Sequence, residues 1–397
     1  MIDLLKAPPK PKTRIIGHLQ GAEPGPVLVF FGGIHGNEPS GVQALEHVFS
    51  KLEKHSSQVK GNVYGLLGNI PAILQNRRYI QKDLNRLWLK EEITRIEHCK
   101  ATHRSFEEQE LYELLNLINQ LFTAHHQPFY FIDFHTTSSK TLPFITINDA
   151  MINRKFARQF PVPIILGIEE YLEGPLLSYI NSLGYVSLGF ESGQHASEEA
   201  KNNSIAFFWL AMIYAGAIQK EQMNSFDVYF TALRTSASWN RNFYEIVKRF
   251  AISPEDSFNM EPGFHSFQKV SKGTLLAQLN ESPVYAEKKG ILFMPLYQPQ
   301  GAEGYFMIKR IPTWILGISS MLRKTKADHL LTFLPGISWR DASKTQLVVN
   351  LNVARFYSKA IFHLMGFRNR ELDKHHLLIN NREKAARNHL YKNSPWY

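Results

Sequence analysis

The chain has 397 residues, 44% of them apolar and 20% charged, proportions that exclude global disorder, collagen-like repeats and a disulfide-built miniprotein. At roughly 150 residues per domain it holds two or three domains and can bury a large core. Lys and Arg number 45 against 35 Asp and Glu, a formal net charge of +10; spread over the whole length, that excess argues against a nucleic-acid partner.

The single cysteine, Cys99, excludes an internal disulfide. The opening stretch MIDLLKAPPKPKTR has no apolar run of signal-peptide length, and its APPKPK segment reads as an extended lead-in. The longest nearly apolar stretch, Ile205 to Ile218, falls short of the about 20 residues a spanning helix needs, so it reads as a buried core helix. A soluble cytoplasmic protein without a membrane span is the expectation.

The first half alternates strands and helices. Val27 to Phe31 (VLVFF) is a continuous apolar run closed by Gly32-Gly33, as a strand covered on both faces would be. Immediately after it stands Gly33-Ile34-His35-Gly36-Asn37-Glu38. In open α/β sheets ligands bind outside the carboxyl ends of strands, and an imidazole with a carboxylate three residues on suits zinc. Alone, HxxE is common, and a helix-capping Glu is the plain alternative. Val42, Leu45, Val48, Phe49 and Leu52 recur at helical spacing, and Asn62 to Leu67 reads as the next strand.

Arg78-Tyr79-Ile80-Gln81-Lys82-Asp83-Leu84-Asn85-Arg86 follows. Guanidinium groups grip carboxylates bidentately, and one beside a metal can stabilise an oxyanion; a solvated basic loop is the alternative. Glu107 to Ala124 is an amphipathic helix. The strand FYFIDF ends in Asp133-Phe134-His135, and side chains 133 and 135 share a face. His135 can then be a third ligand and Asp133 the carboxylate that orients it. Pro163 to Leu166 and Tyr185 to Phe190 complete the strands, the latter running into Gly189-Phe190-Glu191-Ser192-Gly193. A carboxylate at 191, near zinc-acidified water, can serve as general base and then general acid. Nearby His195 carries no assigned role.

Past about residue 225 the texture changes. Phe264 to Ile308 is broken by SKG, NESP, EKKG and QPQG, the turn signals of a small β-rich unit. Beyond Pro312 the pattern turns helical, best over Val348 to Met365. Arg368 to Tyr397 has seven Lys or Arg against three acidic residues and reads as a solvated basic tail; His375-His376 within it is a poor metal candidate.

GGIHGNEPSG, RRYIQKDLNR, FIDFHTT and GFESG stand in the order found in the aspartoacylase and succinylglutamate desuccinylase family, of the zinc carboxypeptidase-like superfamily, and the chain resembles that family over roughly residues 25 to 310. The resemblance implies a zinc carboxypeptidase-like mixed α/β sheet flanked by helices in residues 1–225, while the change of texture sets off a smaller β-rich domain in 226–312 and a helical basic extension in 313–397. It implies one zinc ion on His35, Glu38 and His135, and Glu191 as the proton-transferring carboxylate. It implies Arg78 as the carbonyl-polarising arginine, Asn85 and Arg86 as binders of a substrate carboxylate, and Tyr305 (with Tyr297 as the neighbouring option) as a tyrosine closing over the substrate. Members carry a further substrate-binding arginine shortly before the general base; here Leu177-Ser178-Tyr179-Ile180-Asn181 has none, which points to a substrate with one carboxylate or a different second group. The function implied is a zinc-dependent amidohydrolase cleaving the non-peptide amide of an N-acyl amino acid or related small carboxylate. The alternatives are a carboxypeptidase acting on short or cell-wall peptides, a non-catalytic binding protein on the same fold, and nucleic-acid binding through the tail. The acyl group, the amine and the oligomeric state are left open.

Overall fold

A computed structural model describes residues 13–325, 331–340, 346–354, 359–373 and 376–397. The proline-rich lead-in at 7–12 and His375 lie outside the described residues. The apolar runs of the first half become strands: β1 (Ile15–Gln20), β2 (Glu23–Gly32), β3 (Lys60–Leu67), β4 (Phe129–Thr137), β5 (Phe144–Ile147), β6 (Ile164–Leu166) and β7 (Val186–Gln194). β2, β4 and β7 lack polar alternation because helices cover both faces; Val27 to Phe31 and Phe129 to Ile132 are wholly unexposed.

The helices are α1 (Pro39–Leu52), α2 (Ile70–Gln75), α3 (Lys90–His98), α4 (Phe106–Ala124), α5 (Met151–Ala157), α6 (Leu176–Ser182), α7 (Glu198–Tyr214) and α8 (Phe226–Ser236). On one face Phe30, Phe134 and Phe190 pack with Leu45 of α1 and with Phe207 and Phe208 of α7. On the other, Phe31, Phe129 and Phe131 pack with Leu111, Leu114 and Ile118 of α4. The 205–218 stretch is accordingly a core helix and its terminal turn, and no described helix is long and apolar enough to cross a membrane.

The next segment supplies β8 (Phe243–Ala251), β9 (Phe258–Met260), β10 (Gln268–Val270), β11 (Leu275–Leu279), β12 (Ser282–Tyr285), β13 (Gly290–Phe293) and β14 (Glu303–Ile311). NESP makes the β11–β12 hairpin, with Asn280 and Glu281 at φ 49° and 65°, the left-handed pair that a tight hairpin requires. Strands β8, β14, β13 and β10 extend the central sheet, giving the order β1-β3-β2-β4-β7-β5-β6-β8-β14-β13-β10; β12-β11-β9 form a separate small sheet. The join is the parallel pairing of β6 with β8, Ile164 to Leu166 against Phe243 to Glu245. Within the first half β2–β3, β2–β4 and β4–β7 run parallel, which brings the loops after β2, β4 and β7 to one edge.

The C-terminal part differs from the helical extension expected. It contains α9 (Thr313–Lys324), β15 (Ile337–Trp339), β16 (Gln346–Asn350), α10 (Lys359–Leu364), β17 (Phe367–Asp373) and β18 (His376–Asn381), with the four strands forming their own antiparallel sheet. The helix expected over Val348 to Met365 is a strand followed by a short helix: Leu347 and Val349 are buried and their neighbours less so, a period of two that overrides the weaker helical spacing. Nor is the basic tail a solvated face. Tyr391 is fully buried; its hydroxyl donates to the Phe129 carbonyl at 2.6 Å and accepts from the Val186 N–H at 3.0 Å. Trp396 donates to the Tyr130 hydroxyl at 3.2 Å. Aromatic burial anchors this stretch more strongly than its charges solvate it.

Candidate active site

Gly33 stands at φ 75°, turning the chain off the end of β2. At Gly36 a Cβ would lie 2.1 Å from the Ala72 carbonyl carbon, so only glycine lets this loop press on α2. Its N–H donates to the Arg78 carbonyl at 3.2 Å, tying the first cluster to the arginine loop. Glu38 precedes α1 but makes no side-chain cap; its carboxylate turns inward instead. His35 Nδ1 meets Glu38 Oε1 at 2.8 Å, and His135 Nδ1 meets Glu38 Oε2 at 3.0 Å. The Thr136 N–H donates to the same Oε2 at 2.8 Å.

The outer nitrogen of each ring also has a carboxylate. His135 Nε2 donates to Asp133 Oδ2 at 2.7 Å, as the shared strand face predicted, and His35 Nε2 donates to Asp83 Oδ1 at 3.1 Å. Donor atoms of His35, Glu38 and His135 all lie within 4.8 Å of one another. Two nitrogens and an oxygen so gathered, each imidazole backed by a carboxylate, fit a divalent zinc-type ion: the inner nitrogens could serve as ligands with the outer N–H groups keeping their orienting bonds. Asp83 is the member that sequence reasoning missed; the only signal was an acid inside a basic run.

The electrostatics follow from these contacts. Burial pushes the Glu38 carboxyl up, but His35 and His135 outweigh it and hold it well below the usual carboxylate range. Burial lowers His135, and Asp133 and Glu38 more than reverse that, leaving it well above an ordinary histidine. Asp83 is held low against its burial by His35, Arg78 and Arg86. Glu191 goes the other way: burial pushes it up to about 8, with His135 and Arg78 pulling down and Glu38 and Asp133 adding to the rise. It stands beside His135 in the β4–β7 ladder, 8% exposed, and its Oε2 has no hydrogen-bond partner.

Arg78 lies 3.2 Å from Asp83 and 3.6 Å from Glu38, with its Nε buried and unpartnered. The loop it occupies is pinned by Glu107, wholly unexposed on the first turn of α4. The Glu107 carboxylate accepts the N–H groups of Ile80, Gln81 and Lys82 at 2.6, 3.2 and 3.1 Å. Asn85 accepts the Leu176 N–H at 3.0 Å, and Arg86 is 3.6 Å from Glu303.

His35, Glu38, Arg78, Asn85, Arg86, His135 and Glu191 all line one cleft, whose empty space, open solvent included, is about 1020 Å³. The structure does not bring Tyr305 there. A bulge in the β14–β8 pairing falls between Glu303 and Tyr305 and breaks the alternation, so that Glu303 and Phe306 reach the cleft while Tyr305 stacks on Phe250, ring centres 4.9 Å apart. Tyr297 also turns away, donating to the Glu261 carbonyl at 2.6 Å. His195 is not idle: it meets Thr136 Oγ1 at 2.8 Å and Gln298 Oε1 at 3.0 Å, bridging the end of β4 to the cleft wall.

Residues 24–212 match the family described as the succinylglutamate desuccinylase/aspartoacylase catalytic domain. A succinylglutamate desuccinylase of Photorhabdus laumondii is 41% identical over 61 residues, 15% of this chain and 19% of that protein. A probable aspartoacylase of Acaryochloris marina is 28% identical over 167 residues, 40% of this chain and 52% of that protein. The matched stretch thus spans between about a fifth and a half of the length of these curated relatives. Among solved structures, a succinylglutamate desuccinylase/aspartoacylase from Rhodobacter sphaeroides is similar with a TM-score of 0.55 at 16% identity, covering 74% of this chain and 88% of that one. The product-bound ectoine utilization protein EutE (DoeB) from Ruegeria pomeroyi gives 0.53 at 17% identity, covering 74% and 87%. These structural likenesses show a shared fold.

Proposed function

Because residues 24–212 of this chain belong to the succinylglutamate desuccinylase/aspartoacylase catalytic-domain family, we propose that the protein is a zinc-dependent hydrolase cleaving the amide bond of an N-acyl amino acid or related small carboxylate. The observation that carries this reading is the convergence of His35, Glu38 and His135 on one point, with Glu191 and Arg78 in the same cleft. We assign the chemistry to residues 1–225, one wall of the cleft to 226–312, and support to 313–397.

His35, Glu38 and His135 would hold the zinc ion, which when bound supplies a Lewis acid and lowers the pKa of water at neutral pH. Glu191, protonatable near neutrality, takes the proton of the attacking water and returns it to the departing amine. Arg78, whose Nε has no partner, faces the charge that develops on the carbonyl oxygen. Arg86 and the Asn85 amide, which line the cleft, orient the substrate carboxylate.

The test is a panel of N-acyl amino acids and dipeptides given to zinc-loaded protein, with free amine as the readout. Glu191→Gln is expected to keep one zinc per chain and lose about 10²–10⁴ in kcat. Near-normal turnover in that variant overturns the mechanism, and a preference for dipeptides overturns the substrate class in favour of a carboxypeptidase.

A further inference from the structure

Two segments of the cleft wall are held by residues that lie outside the part of the chain matching the family. The first is the turn from β5 into α5, where Ile147 and Asn148 line the cleft and Asp149 follows. The second is the turn after β6, where Ile168, Glu169 and Leu172 line it. They follow strands of only four and three residues, so few ladder bonds steady them. Neither turn caps itself: Ala150 before α5 and Gly167 before Ile168 supply no side-chain acceptor.

The missing bonds come from the C-terminal part. Arg323 of α9 donates to the Asp149 carbonyl at 2.6 Å and to its carboxylate at 2.7 Å. The same guanidinium donates to the His363 carbonyl at 2.9 Å and to Glu383 at 3.0 Å. Glu383, just past β18, accepts the Met151 N–H at 3.1 Å, which supplies the acceptor that α5 lacks. Arg382 lies 2.9 Å from Glu169, 2.8 Å from Glu170 and 3.5 Å from Asp149, joining the two turns. Arg154 adds a further contact to Asp149 at 2.6 Å, so each of these acids has a guanidinium partner and the cluster is a satisfied brace.

Resting on the function proposed above, we infer that Arg323 and Arg382 are positioning residues for the substrate: the C-terminal part sets the shape of the wall at 147–148 and 168–172. Neither arginine lines the cleft, and neither pairs with His35, Glu38, His135 or Glu191, which sit on or beside β2, β4 and β7. Loosening the brace therefore spoils the wall and spares the reacting groups. A wall in its competent shape only a tenth of the time weakens substrate binding about tenfold. Partial unfolding acts differently, since it removes active molecules and lowers the maximal rate at unchanged KM.

The experiment uses zinc-loaded full-length protein and three substrates: N-acetylglycine, N-acetylnorleucine and N-hexanoylglycine, the last two long at opposite ends of the amide. In Arg382→Gln, KM is expected to rise about tenfold for at least one long compound and to stay within about twofold for N-acetylglycine, with kcat per bound zinc also within about twofold. Because Glu169 and Glu170 then lose a buried partner, that variant can lose its fold; Arg382→Lys keeps the charge without the fork and is expected to show the same split at about threefold. Hydrogen exchange gives a measurement that needs no substrate. Segments 147–151 and 167–172 are expected to exchange about tenfold faster in either variant, while 33–38 and 133–137 do not change. An unchanged KM for both long compounds, an equal rise for all three, or a fall in kcat per zinc at fixed KM overturns the inference. So does exchange that quickens everywhere alike or nowhere. Release of no amine from any substrate by the unmutated protein overturns the hydrolase reading instead, and the exchange pattern still decides this one.

Discussion

Each of the two candidate ligand histidines is clasped at both ring nitrogens, and the outer clasp sets how well the inner nitrogen can serve a metal. Asp133 was legible because it sits two residues from His135 on a strand, where alternation places both on one face. Asp83 was not, because 48 residues separate it from His35 and only the folded loop brings them together. Asp83→Asn is expected to lower metal affinity by about 10- to 100-fold, measured by competition with a chromogenic chelator; an unchanged affinity would leave Asp83 a mere loop brace. The same limit explains Tyr305. Strand alternation is readable from sequence, but a single bulge reverses it, and the bulge after Glu303 leaves no mark in the residue pattern. Tyr305→Phe is therefore expected to keep kcat and KM within about twofold, as for a hydroxyl that contacts neither substrate nor reacting group.

At the level of elements, α4 does two jobs that its amphipathic pattern does not announce. Its apolar side fills the core, as expected from the sequence, while its first turn aims Glu107 into the loop that carries Arg78. The carboxylate thereby satisfies three loop N–H groups together with the Asn69 side chain at 3.1 Å. Glu107→Ala is expected to cost about 3 kcal/mol in urea unfolding, because buried donors lose a charged acceptor, and to depress turnover through misplacement of Arg78. Loss of stability with full activity would show that the loop holds its shape unaided. The strands bearing the ligands were readable because burial on both faces makes them unbroken apolar runs. β16 was misread because Val348 and its neighbours satisfy helical and strand spacing alike, and pairing with β18 decides between them.

On the scale of the whole molecule, the C-terminal part is bound to the catalytic part by buried charge and aromatic contacts. Asp149 meets Arg154 at 2.6 Å and Arg323 at 2.7 Å. Burial pushes Asp149 up, but Arg154, Arg323 and Arg382 outweigh it and leave it far below an ordinary aspartate. Glu108 is likewise depressed from 4.5 to about 2: burial opposes, and bonds from Lys82, Ser105 and Arg95 prevail. A carboxylate held below its unfolded value contributes stability above that value and loses it as pH falls through the folded one. These two carboxylates are therefore expected to make the urea midpoint drop progressively as pH falls from about 5 toward 2; a midpoint independent of acid in that range would contradict the assignment. Tyr391→Phe, which removes the donor to Phe129 and strands the Val186 N–H, is expected to cost about 1–3 kcal/mol in the same assay.

The ladder that runs without interruption from β6 through β8 into β14 has a consequence for traffic into the cleft. Its two banks belong to one stiff sheet and cannot part like a clamshell. Leu296 and Gln298, on the connection between β13 and β14, also line the cleft, so that connection and the arginine loop, rather than a hinge between domains, are parts of its wall not fixed by strand pairing.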